Sequence, residues 1–164
     1  MTNKIWYEMV NMKYGEIYLS KYLGRQRNLK KFFQIMTLIV SASGILSWKY
    51  FENYAWIAFI LIIAMQLLLL VENQLIRSDK EIEEISNLRM LYTKYFNKLE
   101  KLWVDFHSER ITEDESADKY FSYRNDDWVK IEELDCKLDI KRYKRFMNKT
   151  EEETSNYIKR YHYE

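Results

Sequence analysis

The chain has 164 residues, 48% of them hydrophobic and 31% charged, with a formal net charge of +1. It holds no proline and three glycines, Gly15, Gly24 and Gly44, so nothing after Gly44 breaks a helix and an all-α protein is expected. The single cysteine, Cys136, excludes an intrachain disulfide and fits a reducing compartment.

The near-neutral total hides an uneven order of charge. Residues 1–31 are basic, 72–135 are acidic, and 136–164 return to basic. The first segment reads as an amphipathic helix, because Ile5, Trp6, Met9, Val10, Ile17, Tyr18 and Tyr22 recur at helical steps. Gly24 is expected to end it. Such a helix either packs on cytoplasmic helices or lies on the inner leaflet.

Two apolar runs follow, Phe32 to Trp48 and Tyr54 to Val71, and neither contains Asp, Glu, Lys or Arg. Each is close to the roughly 17–25 residues that a helix needs to cross a bilayer. The reading is a two-span transmembrane hairpin. Lys21, Arg25, Arg27, Lys30 and Lys31 precede it, and Arg77 and Lys80 follow it. The excess of positive charge puts both termini in the cytoplasm. Trp48, Tyr50, Phe51, Tyr54 and Trp56 gather at the opposite end, as an interfacial aromatic belt would.

From Leu75 a seven-residue pattern runs through Ser78, Ile82, Ile85, Arg89, Tyr92, Phe96, Leu99, Trp103 and Phe106, apolar except at Ser78 and Arg89 and broadened by Leu88, Tyr95 and Leu102. The breadth predicts a bundle interface, and a homo-oligomer, with a tetramer favoured. With no breaker in between, one helix is expected from about Tyr54 to about Ser108. Thr112 and Glu115 form a capping box that starts a return helix through Ala117, Tyr120, Phe121, Trp128, Ile131, Leu134 and Leu138. Arg124 to Asp127 is expected to kink it. A second box, Thr150 with Glu153, is expected to open a short last helix. The domains are then 1–31, an N-terminal amphipathic helix, 32–72, the membrane hairpin, and 73–164, a cytoplasmic helical sensor and oligomerisation module.

No glycine-rich phosphate loop, nucleophile elbow or paired metal-ligand motif is present. An enzyme, a metal site and a cofactor are therefore not expected. Two constellations carry other chemistry. Gln34, Thr37, Ser41 and Gly44 share one helical face of the first span, with Ser43 and Ser47 widening it. That face either packs the two spans closely or lines a water-filled path in an oligomer. Near the C-terminus, Lys141, Arg142, Lys144 and Arg145 interleave with Tyr143 and Phe146. Cations that hold phosphate and rings that stack on bases suit a nucleotide or single-stranded oligonucleotide. A solvated face, or one touching anionic lipid, is the alternative.

The layout from about Trp6 to about Leu138 resembles the SLATT family of bacterial two-span effectors. It shares an early Trp in an amphipathic helix, a tight hairpin, a long helix leaving the second span, and an aromatic, acidic return helix. The resemblance implies a pore-forming or membrane-disrupting effector of antiphage defence in the bacterial inner membrane. It also implies gating by a nucleotide-type signal from a partner nucleotidyltransferase. The basic tail from Lys137 has no counterpart in that pattern. The other reading is a membrane-anchored helical scaffold that recruits a soluble partner without conducting ions.

Overall fold

The computed structural model describes residues 2–50 and 55–162, and the side chains at 2, 40–50, 55, 57, 58, 61, 68 and 73 lie outside that description. The described chain is helical in this order: α1 (Thr2–Tyr50), α2 (Ala55–Leu75), α3 (Asp79–His107), α4 (Glu113–Tyr123), a π-helical turn (Arg124–Trp128), α5 (Val129–Leu138) and α6 (Lys144–His162). There is no strand among the described residues.

Three expected boundaries are corrected. Gly24 does not end the first helix, because α1 continues through it to Tyr50. A glycine inside a helix costs only about 1 kcal/mol relative to alanine. The buried neighbours Leu23 and Gln26 hold the helix on either side of it. The long helix expected from Tyr54 to Ser108 is interrupted instead, since α2 stops at Leu75 and α3 starts at Asp79. The interruption has its own bonds. The Arg77 N–H donates to the buried Gln26 Oε1 at 3.2 Å, and Lys30 pairs with Asp79. Asp79 places negative charge on the first turn of α3, where the helix dipole favours it. Finally, Thr150 opens no helix. It is fully buried inside α6, which starts a turn and a half earlier at Lys144.

The Thr112 box forms as expected. The Glu115 N–H donates to Thr112 Oγ1 at 3.3 Å, and the Thr112 N–H donates back to Glu115 Oε2 at 2.9 Å. Those bonds hold the Glu115 carboxyl below the usual range, the backbone bond first. The expected kink at Arg124–Asp127 is the π-helical turn. It turns Asp127 inward, where the nearly buried carboxylate pairs with Lys98 and with Lys94 at 3.9 Å.

The chain divides into two compact units, residues 1–23 with 80–164, and residues 24–79. In the first, Ile5, Met9, Met12, Leu19 and Tyr22 of α1 form one core with Ile85, Leu88, Tyr95, Phe96, Leu99 and Leu102 of α3. Tyr120, Ile131, Leu138 and Ile158 from the later helices complete it. The apolar stripe of α3, expected to meet other copies, is thus buried against the chain's own α1. Two contacts set the register. A Cβ on Gly15 would lie 2.3 Å from a ring carbon of Tyr92, so only glycine lets that ring lie on α1. One carboxylate, Glu8, accepts from the hydroxyls of Tyr95 and Tyr120.

The second unit, residues 24–79, differs in surface. It exposes Phe32, Ile35, Leu38 and Ile39 of α1, and Trp56, Phe59, Ile63, Leu67 and Leu70 of α2. Among the described residues, no helix is long and apolar enough to cross a membrane.

Two measurements check this packing. Gly15→Ala is expected to destabilise the fold by about 1–2 kcal/mol, since overpacking against Tyr92 outweighs the gain in helix propensity. Gly24→Ala, whose Cβ meets nothing within 4 Å, is expected to stabilise it by about 0.5–1 kcal/mol. Thermal unfolding followed by circular dichroism separates the two signs.

The tyrosines give a pH test. Burial, then the bond to Glu8, raises Tyr95, and the same causes push Tyr120 up to about 12. Burial, then Glu100, pushes Tyr157 up to about 12. A pKa raised in the fold contributes stability that is complete below the unfolded value near 10 and lost as pH rises through the folded value. Ultraviolet titration is expected to show Tyr120 and Tyr157 ionising late, near 12, together with loss of helix.

Candidate functional site

Alpha5 ends because Asp139 adopts a left-handed conformation, φ 40° and ψ 64°, with its N–H on the Asp135 carbonyl at 3.2 Å. Aspartate tolerates that region better than most residues. The chain then crosses back over α1. Tyr18 Oη donates to the Lys141 carbonyl at 2.8 Å and accepts from the Tyr143 N–H at 2.8 Å. A single phenol therefore clamps the segment on both sides of Arg142. The Tyr143 ring stacks on Tyr22 at 6.2 Å, and the Phe146 ring meets Tyr143 edge-on at 5.7 Å.

Behind this crossing lies a cavity of about 560 Å³. Tyr14 and Gly15 of α1, Tyr92 of α3, Trp128, and Asp135 and Cys136 of α5 line it, with Arg142 at its edge. The Asp135 carboxyl is raised by burial, and the Arg142 guanidinium opposes that rise. Tyr92 is pushed up to about 12, first by burial and then by Asp135, and Arg142 again opposes it. Tyr14 is raised by burial and then by Glu151, with Arg142 acting in the other direction. One guanidinium thus acts on three ionisable groups on three helices, each time against the larger effect of burial. Neither Asp135 nor Arg142 makes a side-chain hydrogen bond or ion pair among the described residues. The cavity thus brings aromatic rings, one carboxyl and one guanidinium together. Among the described residues no group of three or more His, Cys, Asp or Glu could hold a metal ion.

Of the six C-terminal residues expected to bind ligand, the structure brings Arg142 alone to this cavity. Tyr143 and Phe146 were expected to stack on bases, but they pack on α1 and on each other. Lys141, Lys144 and Arg145 are exposed, with the Lys141 ammonium 5.8 Å from the Tyr143 ring centroid. Arg142 precedes α6, so it does not share a helical face with Arg145 at a three-residue step. The reason is Asp139, which moves the start of α6 past Arg142. Tyr14, Tyr92 and Asp135 were missed. The four-residue spacing of Tyr14, Tyr18 and Tyr22 was the available signal, since it marks one aromatic face of α1.

The other constellation lies on α1. Gln34 is exposed and Thr37 half-buried. Ser41, Gly44, Ser43 and Ser47 fall within α1, but their side chains lie outside the described residues.

The Asp135–Arg142 coupling has a direct check. Arg142→Met removes the cation that favours the ionised carboxyl, so the Asp135 pKa is expected to rise further, as followed by the ¹³C shift of its side-chain carbonyl. The folded value already lies above the ordinary one. The stability this group contributes is therefore complete at low pH and is lost as pH rises through the folded pKa. The substitution shifts that loss to higher pH.

No family model, curated protein or solved structure matches the chain.

Proposed function

We propose that the chain is a membrane effector of the kind its layout resembles: two spans made by the second half of α1 and by α2, and a helical module that senses a nucleotide-type ligand. Several copies assemble, and ligand binding changes the conductance of the bilayer. The observation that carries this reading is the surface of residues 24–79. From Ala55 to Val71 the sequence has no charged residue, and Trp56, Phe59, Ile60, Ile62, Ile63, Leu67 and Leu70 are exposed. An apolar face of that extent is unfavourable against water and matched by hydrocarbon. The basic residues on both flanks orient the two ends toward the cytoplasm.

Conduction is favoured over a passive scaffold by how α3 is used. A scaffold presents an uncovered stripe to its partner, whereas the α3 stripe is filled by α1 of the same chain. Oligomerisation then falls to the spans, because two helices cannot enclose a water-filled path alone. Gln34, Thr37, Ser41 and Gly44 would line it. Alpha1 is the mechanical link, since it belongs to both units without a break.

Two experiments test the reading. Cys136 is exposed and is the chain's single cysteine. A membrane-impermeant maleimide is expected to label it in inverted vesicles and not in intact cells. Labelling of intact cells reverses the topology, and recovery of the protein from the soluble fraction removes the spans altogether. A potential-sensitive dye then reports conduction. Thr37→Leu and Ser41→Leu are expected to abolish depolarisation while leaving insertion and assembly intact. Full depolarisation by both assembled variants counts against a path lined by this face.

A further inference from the structure

A second cavity, of about 580 Å³, occupies the groove between α1 and α6. Trp6, Val10 and Tyr14 recur every fourth residue and form its α1 wall, and Thr154, Ile158 and Lys159 form much of its α6 wall. Thr154 is the unusual member. It is 4% exposed, and its Oγ1 has no hydrogen-bond partner among the described residues. A helical threonine ordinarily bonds to the carbonyl one turn back, and a buried hydroxyl left without any partner is unfavourable. Its hydroxyl and methyl exchange places by rotation about χ1, so a ligand with a hydrogen-bonding edge can recruit the hydroxyl.

Charge narrows the ligand further. Lys159 is exposed at the rim and has no carboxylate partner among the described residues. Glu151 stands two helical turns away on the same wall, so Lys159 is the cation at its own end of the groove. The Trp6 indole packs against Trp103 at 5.3 Å and against His162, at right angles, at 5.6 Å.

We propose that the α1–α6 cavity is a binding site for a planar aromatic anion. Its ring lies against Trp6 and Tyr14, an N–H or acceptor on the ring meets Thr154 Oγ1, and its negative group pairs with Lys159. This site is distinct from the Arg142 cavity and stands whether or not the spans conduct.

The test is titration calorimetry on the full chain in lipid nanodiscs, with empty nanodiscs as the blank. Three probes share one ring: indole-3-acetate, uncharged indole and the cationic tryptamine. Indole-3-acetate is expected to bind tightest and tryptamine weakest, by about tenfold or more between the two. Thr154→Val keeps the shape and replaces the unpartnered hydroxyl by a methyl, so the melting temperature is expected to hold or rise. Its affinity for indole-3-acetate is expected to fall by about tenfold. Lys159→Gln is expected to close the gap between the anion and the cation. Unchanged binding by a folded Thr154→Val protein overturns the proposal. So does preferential binding of tryptamine, or no heat above the blank from any probe at millimolar concentration.

Discussion

The helical module depends on how α1 lies on α3. The two helices run antiparallel, as Gly15 meets Tyr92 while Glu8, two turns earlier, meets Tyr95. The glycine sets the distance between the helices, and the carboxylate sets their rotation. Any side chain at position 15 forces the Tyr92 ring outward, and that ring is also a wall of the Arg142 cavity. Glu8 then recruits Tyr120, so the same contact places α4. Charge-assisted bonds to a half-buried carboxylate are stronger than neutral ones, and losing one leaves the other hydroxyl or the charge poorly solvated. Packing, register and the shape of the candidate site therefore have one origin.

That origin explains which parts of the fold were legible. Helix content followed from composition, and the buried face of α3 followed from its seven-residue pattern, because both are local properties of one segment. The partner of that face was not legible. A stripe states that it will be covered, and only the three-dimensional path of the chain decides whether α1 or another copy covers it. The two misplaced breaks have the same cause. Gly24 reads as a stop, but burial on both sides overrides a propensity of about 1 kcal/mol. Residues 76–78 contain neither glycine nor proline, and what stabilises their turn is Gln26 and Lys30, some fifty positions away in sequence.

The candidate site shows the same division. Arg142 stood out as part of a basic, aromatic cluster, yet the cluster does not act together. Asp139 ends α5 and carries the next residues across α1, so Tyr143 and Phe146 are consumed in packing while Arg142 is left at the cavity edge. Asp135 had no marker, being one of many acidic residues in an acidic stretch. Its distinction is burial beside an unpaired guanidinium, which is a property of the fold alone.

The two cavities share Tyr14 and Asn11, and both are walled on one side by α1. That helix continues into the second unit. For a ligand to act as a gate, it must bind one position of α1 better than another, since equal affinity shifts nothing. Moving a closed-to-open ratio from 1:99 to 99:1 takes about 5.5 kcal/mol of such difference. Two charge-assisted contacts of about 1.5–3 kcal/mol each, one to Asp135 and one to Arg142, approach that figure only if both are made in one state and broken in the other. Asp135 is on α5 and Arg142 follows the left-handed turn at Asp139, so they lie on a short, bent segment clamped to α1 by Tyr18. The Tyr18 bonds thus tie the segment between the two charges to α1.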